Sequence, residues 1–144
     1  MDLILWRHAD AEDGKPDLER ELTPKGRKQA ARVAKWLLER LPKDFRVISS
    51  PAARARQTAE ALEAKPAIDG TLAPGASVDA IVRAAGWPND NGTVVLVGHQ
   101  PDFGNALAYL VAGDTADWRL QKAGLWWLAE QPVIVKAVIS PDLL

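Results

Sequence analysis

Hydrophobic positions along this chain follow two rhythms. Unbroken apolar runs stand at Leu3-Ile4-Leu5-Trp6 and Val94-Val95-Leu96-Val97. The first stops at Arg7-His8 and the second, after Gly98, at His99-Gln100. Runs without polar alternation suit strands covered on both faces of a sheet. Between them the period changes to that of a helix: Ala30, Val33, Ala34, Leu37, Leu38 and Leu41 mark one apolar face. Thr23-Pro24 supplies an N-cap and a proline at the first helical position, and Pro42 ends the segment.

Phe45–Ser49 reads as a second strand, and Ser50-Pro51 as another cap and first-turn proline, opening a helix of about residues 51–64. That helix buries Ala52, Ala55, Ala59 and Leu62. A brief strand near Ala67-Ile68 comes next, then a helix capped by Ser77, carrying Val78, Ile81, Val82 and Ala85 and closed by Gly86. A strand over about 93–98 leads to a helix from about Pro101 to Ala112, ending at Gly113. Leu125–Leu128 and Val133–Ile139, joined by a turn near Pro132, read as a terminal hairpin. Trp6, Trp36 and one of Trp126 and Trp127 belong to the core. This alternation predicts an α/β fold: a three-layer α/β/α sandwich with a mostly parallel central sheet and an antiparallel C-terminal hairpin at one edge. Residues 1–144 form a single domain with no internal repeat or linker.

Composition narrows the chemistry. The chain has 18 basic and 19 acidic residues and a net charge of −1, so no global field attracts nucleic acid and any anion site must be local. It has no cysteine, which excludes disulfides, thiolate metal sites and cysteine nucleophiles. No apolar run approaches the roughly 20 residues of a membrane helix. No targeting signal precedes the first strand, so a cytoplasmic location is expected.

Three strand-to-helix junctions send polar groups to one edge of the expected sheet: Arg7 and His8, then Ser50 and Arg54, then His99 and Gln100. Ligands of open α/β sheets bind at that edge, and helix N-termini there favour anions. Arg54 lies near a helix N-terminus, where a cation is disfavoured unless something negative compensates it, and a bound phosphate would do so. Guanidinium forks match phosphate oxygens with paired hydrogen bonds, and a neutral imidazole can attack phosphorus in line. The residues therefore predict a phosphoryl-transfer site with a histidine nucleophile and no cofactor.

Several segments carry a resemblance. Arg7-His8-Ala9-Asp10-Ala11 is similar to the RHG motif of the histidine phosphatase superfamily. Leu22-Thr23-Pro24-Lys25-Gly26-Arg27-Lys28-Gln29-Ala30 resembles its L-T-x-x-G-x-x-Q-A segment. Ser49-Ser50-Pro51-Ala52-Ala53-Arg54-Ala55-Arg56-Gln57-Thr58-Ala59 resembles its S-S-P-x-x-R-A-x-Q-T-A segment, and Val97-Gly98-His99 its late histidine element. The short length and R-H-x-D-A start are closest to the SixA branch of phosphohistidine phosphatases. The resemblance implies His8 as nucleophile, with Arg7, Arg54 and His99 completing a phosphate pocket; Ser50, from its place at the second junction, is a further candidate for binding substrate. It implies a metal-independent phosphatase acting on a phosphohistidine-bearing protein or a small phosphorylated molecule.

Two departures stand out. Ala9 replaces the usual glycine, which predicts a displaced turn after His8. No carboxylate stands near Gly70-Thr71, where many relatives place a proton donor, leaving Asp10 as the nearby candidate. A phosphoramidate demands less of a general acid than an alkyl ester, so this gap leans toward phosphohistidine. A small-molecule phosphomonoesterase and a catalytically silent phosphate-binding module are the alternatives. A zinc site from the two histidines and Asp10 lacks the usual ligand spacing. Among plainer roles, Arg7 pairs with an acid of the 9–22 loop, Arg56 pairs with Glu60, Ser50 is only a cap, and Thr23 and Gly26 are structural.

Overall fold

The computed structural model describes residues 1–130 and 132–144. Among the described residues six strands form one sheet: β1 (Asp2–Arg7), β2 (Phe45–Ser49), β3 (Ala67–Ile68), β4 (Thr93–Gly98), β5 (Leu125–Ala129) and β6 (Ile134–Ile139). Their order is β3-β2-β4-β1-β5-β6, with β3, β2, β4 and β1 parallel and β5 and β6 antiparallel. Helices α1 (Pro24–Leu38), α2 (Ala53–Glu60), α3 (Val78–Ala85) and α4 (Asp102–Ala112) cover the two faces. The expected sandwich and edge hairpin are present.

Alternation along the strands divides the core. Ile4, Trp6, Val95 and Val97 point to the face packed by Ala30, Val33 and Leu37 of α1 and Ala55 and Ala59 of α2. Leu3, Leu5, Val94 and Leu96 point to the other face, against Ile81 of α3 and Phe103 and Leu107 of α4. Both runs are fully buried because helices lie on each side. Trp6 and Trp127 are core residues, and Trp36 packs edge-on against Trp127 while remaining partly exposed.

Local signals explain most of the boundaries. Thr23 caps α1 by accepting from the Gly26 amide, and Ser77 caps α3 by accepting from Ala80. Gly86 and Gly113 close α3 and α4 in left-handed conformations that glycine adopts without a Cβ penalty. The second helix departs from expectation at both ends. It starts at Ala53 with no side-chain cap, and it ends at Glu60 rather than near residue 64. The Ser50 amide donates to Val97 O, which completes the Ser49–Val97 pairing at the end of β2. At the far end, Glu63 takes a left-handed φ of 57°, incompatible with a continuing helix. Leu38 is exposed where the sequence pattern buried it, because α1 turns that side to solvent at its end.

Candidate active site

Register brings the site together. Arg7 lies opposite Gly98 across the β1–β4 ladder, and Ser49 lies opposite Val97 across β2–β4. The residues that follow, His8, His99 and Ser50, therefore leave the sheet side by side at one edge. The rings of His8 and His99 are 5.2 Å apart between centroids. His99 Nε2 is 2.7 Å from Ser50 Oγ, which also accepts from the Ala52 amide. Ser50 is thus a support for His99, not a helix cap.

His8 Nδ1 is 2.7 Å from Ala9 O. A carbonyl oxygen only accepts, so Nδ1 carries the hydrogen and Nε2 holds the free lone pair. Burial, together with the positive charges of Arg54 and Arg7, lowers the His8 pKa to about 4 against the buttressing of Ala9 O. The ring is neutral near pH 7. Burial also lowers His99, to about 3, with His8 and Arg54 adding to the effect. In the protein alone His99 is therefore a neutral ring, not the imidazolium that a phosphate-binding role suggests.

The arginines are anchored from outside the edge. Arg54, only 4% exposed, donates from Nη1 to Asp17 O at 2.8 Å and from Nη2 to Asp17 Oδ2 at 3.1 Å. The Asp17 carboxylate thus compensates this cation near a helix N-terminus, where the sequence predicts a bound phosphate. Arg7 donates from Nη1 to Leu120 O at 2.8 Å, so its partner is a carbonyl and not an acid of the 9–22 loop. Among the described residues, the buried Nε atoms of both Arg7 and Arg54 lack any acceptor. A buried donor left without a partner costs about 1–3 kcal/mol.

Ala9 fits without strain. It is fully buried, its φ is not positive, and its amide donates to Thr58 Oγ1 at 3.0 Å. Thr58 in turn donates to Arg54 O at 2.8 Å, joining the turn after His8 to the helix that carries Arg54. No glycine is required at position 9. Asp10 turns away: its carboxylate accepts from Lys122 Nζ at 2.6 Å and from Thr23 Oγ1 at 2.8 Å. Those hydrogen bonds hold its pKa below the usual carboxylate range, which suits an anchor and opposes a proton donor. Arg56 donates to Pro51 O at 3.3 Å rather than pairing with Glu60. Among the described residues no three histidine, aspartate or glutamate side chains gather as a metal-binding group.

The chain belongs to the histidine phosphatase superfamily (branch 1), whose family model matches residues 3–75. An uncharacterized protein of Picosynechococcus is 37% identical over 99% of this chain and 93% of its own length. Within the superfamily the likeness is to the SixA branch. A candidate phosphohistidine phosphatase SixA from Nakamurella multipartitia is 29% identical, with a TM-score of 0.80 over 97% of this chain and 95% of that one. The protein histidine phosphatase SixA in complex with tungstate shares the fold at a TM-score of 0.87, with 24% identity over 99% of each chain.

Asp17 and Thr58 were not singled out by sequence reasoning. Thr58 lies within the segment resembling the family pattern, four residues after Arg54, and that helical spacing was the available signal. Asp17 lies in an aperiodic polar loop, where no spacing marks it.

Proposed function

We propose that this chain is a metal-independent phosphatase that hydrolyses phosphohistidine on proteins through a phosphohistidine intermediate on His8. The Nε donors of Arg7 and Arg54, without an acceptor among the described residues and on guanidiniums near enough for their charge to lower the His8 pKa, carry this reading. A phosphoryl group spreads charge over its equatorial oxygens, and two guanidiniums meet that charge. His8 Nε2 attacks phosphorus while the bond to the departing nitrogen breaks and its electron pair leaves with the imidazole. A substrate ring already protonated on its other nitrogen departs neutral, which removes the need for a carboxylic acid. Water then attacks the phosphorylated His8; the N–P bond breaks, its pair returns to Nε2, and the water's proton passes to phosphate or solvent. His99, held through its Nε2 contact with the Ser50 hydroxyl, stands beside the His8 ring, where it can support the phosphoryl group.

The test compares a chemically phosphorylated histidine peptide with an aryl phosphate, in the intact enzyme and in His8→Ala, with and without chelator. The expected kcat/KM favours the peptide by about tenfold or more, equivalent to ~1.4 kcal/mol. His8→Ala should lose about 10³-fold or more on both substrates. Chelator should change nothing. Activity confined to the ester would make this a phosphomonoesterase, and activity on neither would leave only phosphate binding.

A further inference from the structure

A cleft of about 680 Å³ adjoins the candidate site, and Arg7 lines it. Its other walls include Lys25, Lys28 and Arg32 of α1, Lys122 on the β5 approach, and the C-terminal turn with Asp142. Five cations thus face one acid across this cleft, in a chain whose net charge is −1. Lys122 is paired with Asp10. Among the described residues Lys25, Lys28 and Arg32 form no ion pair within 4.0 Å. At positions i, i+3 and i+7 they make one stripe along α1, about 10 Å long at 1.5 Å rise per residue.

We infer that this cleft docks an acidic strip of the protein whose phosphohistidine His8 attacks. The inference rests on the reading of the site as a phosphatase of protein phosphohistidine. Lys25, Lys28 and Arg32 are all exposed on flexible stems, and they spread over two helical turns. Small-molecule sites instead enclose most of the ligand and fix it with a few placed polar groups. An exposed cationic stripe speeds encounter with a complementary partner and selects it by charge. Because Arg7 lines both cleft and phosphate pocket, an acidic strip seated there presents the neighbouring phosphohistidine to His8.

Two chemically phosphorylated histidine peptides test this, one flanked by glutamates and one by glutamines, with the intact enzyme and with the Lys28→Glu/Arg32→Glu double variant. The acidic peptide should show a KM lower by about tenfold at low salt, with similar kcat. That preference should vanish in the double variant and between about 0.01 and 1 M salt, as the Debye length shrinks to ~3 Å. A milder Lys28→Gln/Arg32→Gln variant should give an intermediate preference, which separates charge from misfolding. Equal KM values for the two peptides, or a preference that survives charge reversal, overturn the docking cleft and leave the catalytic reading intact. Hydrolysis of neither peptide overturns both. Competition by inorganic tripolyphosphate but not by the unphosphorylated acidic peptide makes the occupant a small polyanion and overturns protein docking.

Discussion

His8 Nδ1 is committed to the carbonyl of Ala9, and that single bond decides which nitrogen can react. A freely turning ring would present either nitrogen; this one offers only Nε2. Burial and two neighbouring guanidiniums keep it unprotonated down to about pH 4, where an ordinary histidine would charge near 6.5. The acid limb of kcat/KM reports the free enzyme. After correction for the substrate's own ionisation, it should therefore fall near pH 4. Rapid pH-jump assays with an aryl phosphate would show this before the protein unfolds. An apparent pKa near 6.5 would mean that His8 is not the group being read, or that the site admits far more water than its burial implies.

At the scale of elements, parallel register does what no single residue can. Arg7 opposite Gly98 and Ser49 opposite Val97 align three strand exits, so residues 8, 50 and 99 meet although the chain separates them widely. This much was legible in the sequence, because unbroken apolar runs mark buried strands and the polar residues after them must fall at the sheet's edge. The role of Ser50 was not legible. Ser-Pro has the form of a cap and first-turn proline, yet the Ser50 amide joins the ladder and its hydroxyl turns to His99. Asp17 was hidden for another reason: a loop acid has no periodic signature, and only the three-dimensional path shows it reaching Arg54. Gly26 shows how closely the elements are fitted. A Cβ there would stand 2.0 Å from Asp10 O, so α1 packs directly on the backbone just beyond His8. Gly26→Ala must push that backbone away, at about 1–3 kcal/mol by analogy with overpacked cores. Thermal unfolding should register the loss, and activity at a temperature where the variant stays folded should fall too, because the displaced segment carries Ala9. Stability lost with full activity retained would separate this contact from the site.

Across the whole molecule, buried His99 and half-buried His8 make stability depend on pH in a direction that can be worked out. Unfolded, each ring has the ordinary pKa of 6.5; folded, His8 sits at about 4 and His99 at about 3. Below 6.5 the unfolded chain binds protons that the folded chain refuses, so acid favours unfolding. The contribution is fully present above that pH and declines down to about 4 for His8 and about 3 for His99. Each ring accounts for up to ~1.4 kcal/mol per pH unit, against a total stability of about 5–15 kcal/mol for a domain. Asp17 and Asp10, whose pKa values are lowered by Arg20 and Lys122 respectively, work in the same sense but only nearer the carboxylate range. Urea unfolding midpoints should therefore hold level from pH 8 to 7 and drop steeply between about 6 and 4.5. The His8→Asn/His99→Asn double variant, with no ring to charge, should trace a flatter curve there. Vanadate or phosphate should also flatten it, because a bound anion between Arg7 and Arg54 favours the imidazolium that the bare pocket disfavours. An intact protein whose midpoint stays level to pH 5, or a variant that falls just as steeply, would show that these rings are not the neutral pair on which the proposed chemistry depends.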